Sequence, residues 1–200
     1  MSTVKSKKLQ VGTDATSSNN FTIYQPATPD GTLRIGVGNA DSPTEVGRFN
    51  SNGYVATNAP AFRAYLNADQ TGISSATWTK VQIDTEEFDT NSCYDNSTNY
   101  RFTPTIAGYY QINFRVRNDS TSTRASDFSA IYKNGSLYSY ANTALFSTAA
   151  DVGMNGSDLI YFNGSTDYIE IYTYLNGASG NVDGGSTANT FVSGFLARAA

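Results

Sequence analysis

Hydrophobic and polar residues alternate with a period of two along most of this chain, and that period predicts β-strands. The clearest case runs from Gly108 to Asn118. Tyr110, Ile112, Phe114 and Val116 fall on one side, and Tyr109, Gln111, Asn113, Arg115 and Arg117 on the other. One face then belongs in a core and the other towards solvent or a partner. From Asp167 to Leu175, Ile169, Ile171 and Leu175 share one side, whereas Tyr168, Glu170, Tyr172 and Tyr174 share the opposite one. A stripe of tyrosines buries well and keeps a polar tip, the character of interface residues. Tyr168, Tyr172 and Tyr174 are therefore expected to face another chain, the alternative being a single chain whose own loops cover the stripe.

Shorter runs extend the pattern. Strands are expected at 62–66, 77–83, 100–103, 128–132, 136–140, 158–162 and 190–198. Asn134-Gly135 marks a hairpin between two of them, and Asn163-Gly164 joins 158–162 to 167–175. Asp89 to Asn99 reads as a polar loop, and Asn176 to Asn189 as a Gly/Ser/Asn loop. Strands this short, with turn signals at this spacing, indicate a β-sandwich. Residues 1–58 read as small hairpins: Phe21 and Ile23 alternate with Thr22 and Tyr24, Leu33, Ile35 and Val37 share a face, and Asn52-Gly53 separates Val46–Phe49 from Tyr54-Val55. They carry too few apolar residues for an independent core and must pack on a sister chain, the main domain or a host surface. Asn58-Ala59-Pro60 marks a boundary, giving an arm over 1–58 and a head over 59–200.

Composition sharpens this all-β reading. Hydrophobic residues make up 39% and charged residues 15%, so Ser, Thr, Asn, Gln and Gly must cover the surface. The net charge of −4 argues against nucleic acid, which needs clustered cations. Lys5, Lys7 and Lys8 form the one basic cluster, read either as a solvated arm or as an attachment to an acidic protein surface. No stretch approaches the length of a membrane span, and Met1-Ser-Thr-Val-Lys lacks the apolar segment of a signal peptide, so synthesis in a cytoplasm is expected.

Candidate chemistry is sparse. The chain has no histidine, which removes Ser-His-Asp and Cys-His arrangements and imidazole zinc ligands. Cys93 is the only cysteine; it forms no intrachain disulfide and lacks a histidine to deprotonate it. Gly36-Val37-Gly38 begins like a dinucleotide loop but is followed by neither the third glycine nor a helix. Asp84, Glu86, Glu87 and Asp89 lie close together and read as a solvated loop, the alternative being the carboxylate pair of a glycan hydrolase that uses Glu86, and no recognisable calcium spacing surrounds Asp151, Asp158 or Asp183. No catalytic, cofactor-binding or metal-binding residue is assigned, and a non-enzymatic role follows.

Pro104-Thr-Ile-Ala-Gly-Tyr-Tyr-Gln-Ile-Asn-Phe-Arg-Val116, preceded by Phe102-Thr103, resembles the signature of the globular head of complement component 1q. Lys133-Asn134-Gly135, Asp167-Tyr168-Ile169-Glu170-Ile171 and Phe191-Val-Ser-Gly-Phe-Leu196 resemble three further motifs of that family in the same order. Ser165-Thr166 interrupts the family's Gly-Asp dipeptide, so no ligand or calcium residues carry over. Over 61–198 the resemblance implies a ten-strand jelly-roll β-sandwich, similar to tumour necrosis factor, that forms homotrimers around a threefold axis, with Tyr168, Tyr172 and Tyr174 in the subunit contact. Leu9-Gln-Val-Gly-Thr13, Asn20-Phe-Thr22 and Asp30-Gly-Thr-Leu33 resemble the opening of short structural proteins of tailed phages. Together these imply a trimeric cement or decoration protein on the exterior of a phage virion, whose partners are other virion proteins, the major capsid protein or the tail. The alternative is a tail-fibre or head-fibre knob contacting host surface glycan or protein, with Tyr138, Tyr140 and the 176–189 loop as an aromatic platform.

Overall fold

The computed structural model describes residues 7–51, 53–56, 59–119, 122–145 and 151–200. Lys5 of the basic cluster, Asn52 of the expected turn and Asn58 of the expected boundary lie outside them. The chain divides into two compact units, Met1–Ala59 and Pro60–Ala200.

The first unit is an antiparallel meander of β1 (Lys8–Val11), β2 (Phe21–Tyr24), β3 (Leu33–Val37), β4 (Thr44–Asn50) and β5 (Gly53–Ala56), hydrogen-bonded in that order. Register pairs Leu9 with Ile23, Val11 with Phe21, Ile23 with Ile35, and Leu33 with Phe49. Side chains opposite each other in a ladder share a face, so the apolar residues collect on one side. The other side is closed by a polar network. The buried Asn20 donates from Nδ2 to the Asp14 carbonyl (2.8 Å) and to Asn39 Oδ1 (2.7 Å), and its Oδ1 accepts the Asp14 N–H (2.9 Å). Thr22 Oγ1, equally buried, donates to the Gly38 carbonyl at 3.0 Å. The unit buries hydrogen-bonded groups and leaves its hydrocarbon outside: Leu9, Val11, Phe21, Ile23, Leu33 and Phe49 are 38% to 59% exposed.

The second unit contains β6 (Ala61–Tyr65), β7 (Gln70–Ile73), β8 (Thr79–Lys80), β9 (Thr85–Asp89), β10 (Tyr94–Asp95), β11 (Arg101–Phe102), β12 (Gly108–Asp119), β13 (Ser126–Lys133), β14 (Ser136–Tyr140), β15 (Ala144–Leu145), β16 (Val152–Phe162), β17 (Ile169–Asn176), β18 (Gly180–Val182) and β19 (Phe191–Ala199). They form two seven-stranded sheets. One runs β10-β11-β17-β13-β14, with β8 on β17 and β15 on β13; the other runs β7-β18-β12-β19-β6-β9, with β16 on β12. Chain neighbours repeatedly fall in opposite sheets, as in a jelly roll. Asn163-Gly164 makes one such crossing, from β16 to β17. Gly164 (φ 73°) lies against the Ala107 backbone, where a Cβ would overlap the amide nitrogen.

The face of β12 assigned to the core is there: Tyr110, Ile112, Phe114 and Val116 are buried. Around them Phe62 stacks on Phe102 at 4.2 Å, and Phe102 and Phe162 meet Tyr110 edge-on at 5.5 and 5.4 Å. Offset and edge-to-face pairs of this kind add to the burial of each ring. At one end the sheets are tied by polar atoms instead. Asp127, fully buried, accepts from Arg124 Nε (2.8 Å) and Nη2 (2.7 Å) and from Asn118 Nδ2 (3.1 Å), and the same amide donates to Thr173 Oγ1 (3.0 Å).

Three expectations are corrected. The run 77–83 is not a continuous strand; only Thr79–Lys80 pairs, while Val81 and Ile83 drop into the core. The stretch 89–99 is not an open polar loop, because Cys93 and Tyr94 are buried over a turn in which Asp89 Oδ2 accepts their backbone N–H groups at 2.6 and 2.7 Å. Strands also occur where none was expected, at β7, β9, β10, β15 and β18; each is five residues or fewer, too short to show a clear period.

Candidate functional site

The outward face of β17 carries an aromatic groove. Phe128 on β13 lies opposite Tyr174, Ala130 opposite Tyr172, and Tyr132 opposite Glu170; Ala130 in turn pairs with Tyr140 on β14. Ala130, the small residue among these large ones, is fully buried. Trp78, the only tryptophan in the chain, reaches across this face. Its ring lies 5.4 Å from Tyr174, 5.7 Å from Tyr132 and 6.0 Å from Tyr140. The turn before it makes this placement possible. Ala76 takes a positive φ of 56° and donates its N–H to the Leu175 carbonyl at 2.8 Å, while Ser75 Oγ accepts the Gly177 N–H at 3.2 Å.

The groove has a volume of about 560 Å³ and is lined by Trp78, Phe128, Tyr140, Thr143, Tyr174 and Asn176. Among the described residues no lining side chain is charged. The nearest charges on this face neutralise each other: Lys80 Nζ lies 2.6 Å from Glu170 Oε1. Tyr132 and Tyr172 stack at 4.0 Å with planes 26° apart, so their facing surfaces are occupied. Trp78 meets Tyr140 and Tyr174 tilted, at 44° and 50°, rather than stacked. Burial raises the pKa of Tyr132 and of Tyr172, the latter helped by the Glu170 carboxylate, so both phenols stay neutral donors.

Of the expected stripe, Tyr174 lines this groove, Tyr172 is stacked on Tyr132, and Tyr168 lies elsewhere. The Arg101 guanidinium sits over the Tyr168 ring at 4.4 Å. All three rings thus find partners within their own chain. Tyr138 and Tyr140 are exposed as expected of a platform, at 50% and 57%. Trp78 was placed by sequence on a strand, with nothing to say that it crosses to the tyrosines; its being the lone tryptophan is the one signal that could have singled it out.

A second exposed surface lies on the opposite sheet. Tyr109 pairs with Tyr161, and Gln111 is flanked by Leu159 and Phe195. These four apolar side chains are 41% to 52% exposed. The acidic run does structural work: Glu87 pairs with Arg63, Asp84 Oδ1 accepts the Asn67 N–H at 2.9 Å, and Asp89 holds the Cys93 turn. In the first unit, Lys7 joins Leu9, Ile23 and Leu33 around a depression of about 470 Å³, and Lys8 Nζ donates to the Ala40 carbonyl at 2.5 Å. Among the described residues no group of three or more Cys, Asp or Glu side chains is disposed to hold a metal ion, and no helix is long and apolar enough to cross a membrane.

No protein-family model and no curated protein matches this sequence. Solved structures do. The chain is similar to murine APRIL, 9% identical over 69% of this chain and 98% of that one, with a TM-score of 0.50. It is also similar to an Eiger TNF from S. frugiperda, 8% identical over 71% of this chain and 94% of that one, with a TM-score of 0.51. Identities this low carry the fold and nothing finer: the chain contains a jelly roll of the tumour necrosis factor type.

Proposed function

We propose that this chain is a non-enzymatic structural protein of a phage virion, a homotrimer on the capsid exterior that acts as a cement or decoration protein. The observation that carries this reading is the one-sided first unit. Six apolar side chains stay 38% to 59% exposed on a sheet whose other face is closed by hydrogen bonds. Contiguous apolar surface of that kind marks a docking face. Lys7 at its edge, and Lys8 and Lys5 beside it in sequence, suit a partner surface of the capsid or tail with an acidic rim. The reading of a phage particle rests on the N-terminal motifs that resemble phage structural proteins.

Within the trimer, the threefold contact falls on the Tyr109, Leu159, Tyr161 and Phe195 surface. Subunit contacts draw on side chains left open in the single chain, and these are more open than the partnered Tyr168, Tyr172 and Tyr174. Tyr109→Asp therefore reduces the particle mass in light scattering to that of a monomer, while Tyr172→Asp leaves the trimer mass. A wild-type monomer at micromolar concentration refutes the assembly. Quantitative mass spectrometry of purified virions tests the role: hundreds of copies per particle support decoration, and absence from virions refutes it. Leu9→Asp is expected to abolish attachment without altering the oligomer.

A second reading, a fibre knob that contacts a host surface, is favoured by the aromatic groove. A copy number of a few tens would select it.

A further inference from the structure

We infer that the groove beneath Trp78 is a binding site for a neutral saccharide, taken by stacking of pyranose rings on Trp78 and Tyr174 against the Tyr140 rim. This inference rests on the receptor-binding reading and names the ligand class and the site.

Four features of the groove converge on that ligand. First, aromatic rings line it. Trp78, Tyr140 and Tyr174 all line the groove, and Trp78 lies tilted to the two tyrosines rather than stacked on them, an arrangement that the flat C–H face of a sugar ring can join. Secondly, hydrogen-bonding groups sit beside those rings. Among the described residues the hydroxyls of Tyr140, Thr143 and Tyr174 have no hydrogen-bond partner. Asn176 donates through Nδ2 to Ser126 Oγ at 3.1 Å, which fixes the amide and leaves its oxygen to accept. A saccharide offers both an apolar ring face and a rim of hydroxyls, and needs both kinds of partner side by side.

Thirdly, charge is absent. Among the described residues no side chain lining the groove is charged, and Lys80 and Glu170 are paired to each other, so the ligand is neutral. Lastly, the size fits: about 560 Å³ lies inside the roughly 300–1,000 Å³ range of small-molecule sites and admits more than one sugar ring. An extended peptide would instead seek unpaired backbone at a sheet edge, whereas β17 is paired on both sides, to β11 and β8 on one and β13 on the other.

Trp78 reports on its own site, because the chain has no other tryptophan. The full-length protein is titrated with maltotetraose, cellotetraose, chitotetraose and galactotetraose, and with a hyaluronan tetrasaccharide and a proline-rich peptide as contrasts. Tryptophan emission should shift saturably with at least one neutral tetrasaccharide and with neither contrast. Tyr140→Ala, a change at an exposed position that keeps the reporter, should weaken binding at least about tenfold, the loss of a single stacked ring. Trp78→Ala, followed by calorimetry, should weaken it by a similar factor. Silence with all four neutral saccharides overturns the inference, as does binding that both variants leave unchanged, or a response to hyaluronan or peptide alone. Binding of the labelled protein to host cells is measured alongside: if it persists unaltered in both variants, the saccharide site falls and the receptor-binding reading stands, and if wild type shows neither, both fall.

Discussion

Asp127→Ala in the head removes one carboxylate and takes an acceptor from two other groups. Asp127 is fully buried and receives three hydrogen bonds, two from the Arg124 guanidinium at 2.8 and 2.7 Å and one from Asn118 at 3.1 Å. A bond to a charged group is worth about 1.5–3 kcal/mol net, and the guanidinium, itself only 3% exposed, cannot reach water when its partner goes. Breaking a buried pair from one side costs about 3–5 kcal/mol. For a domain of this size that corresponds to roughly 6–20 °C in melting temperature. The assay is calorimetry or near-ultraviolet circular dichroism on the full chain, with the double variant Arg124→Met/Asp127→Leu beside it. Replacing both charges by apolar groups is often neutral or stabilising, so the double variant should recover most of the loss. A single-variant loss below about 1 kcal/mol, or a double variant worse than Asp127→Ala, would refute the idea that the cost lies in the orphaned charge.

Gly156 leaves room for the Phe114 ring across the β12–β16 ladder, where an added Cβ would overlap it. Gly156→Ala should cost about 1–3 kcal/mol by thermal unfolding, and Phe114→Leu in the same chain should reduce that cost. Asp95 accepts N–H groups from Thr98 (2.9 Å), Ser97 (3.1 Å) and Asn99 (3.2 Å), which hold its carboxyl well below the usual carboxylate range. Its folded pKa lies below the unfolded one, so its contribution is full above the unfolded value and disappears as pH falls through the folded value. Asp95→Asn should flatten the acid limb of a stability–pH curve below about pH 4, and an unchanged limb counts against the turn. Cys93 is 4% exposed, so a thiol reagent should label it only as fast as the head opens, and immediate labelling in native buffer would contradict its burial.

Period-two alternation was enough to locate the main strands and the inward face of β12, because each strand's pleat sends successive side chains to opposite faces regardless of what packs there. The hairpin at Asn134-Gly135 was equally legible, since both residues adopt positive φ, at 52° and 77°, a conformation their types favour. The absence of histidine excluded whole classes of chemistry before any coordinate was needed. The exposed hydrocarbon of the first unit was foreshadowed by its low apolar content. What alternation could not supply is which surface lies over an outward face. The tyrosines of β17 were read as facing another chain, or else as covered by loops of their own chain. Within the chain Tyr174 meets Trp78, about a hundred residues away and steered there by a left-handed Ala76, while Tyr172 stacks on Tyr132 and Tyr168 lies beneath the Arg101 guanidinium. Cys93 and Tyr94 looked like loop residues because their burial depends on carboxylate-capped turns rather than on a period. Pairing along a strand is a local property written in successive residues; the closure of one surface over another depends on loops and sheet crossings, and only the folded chain decides it.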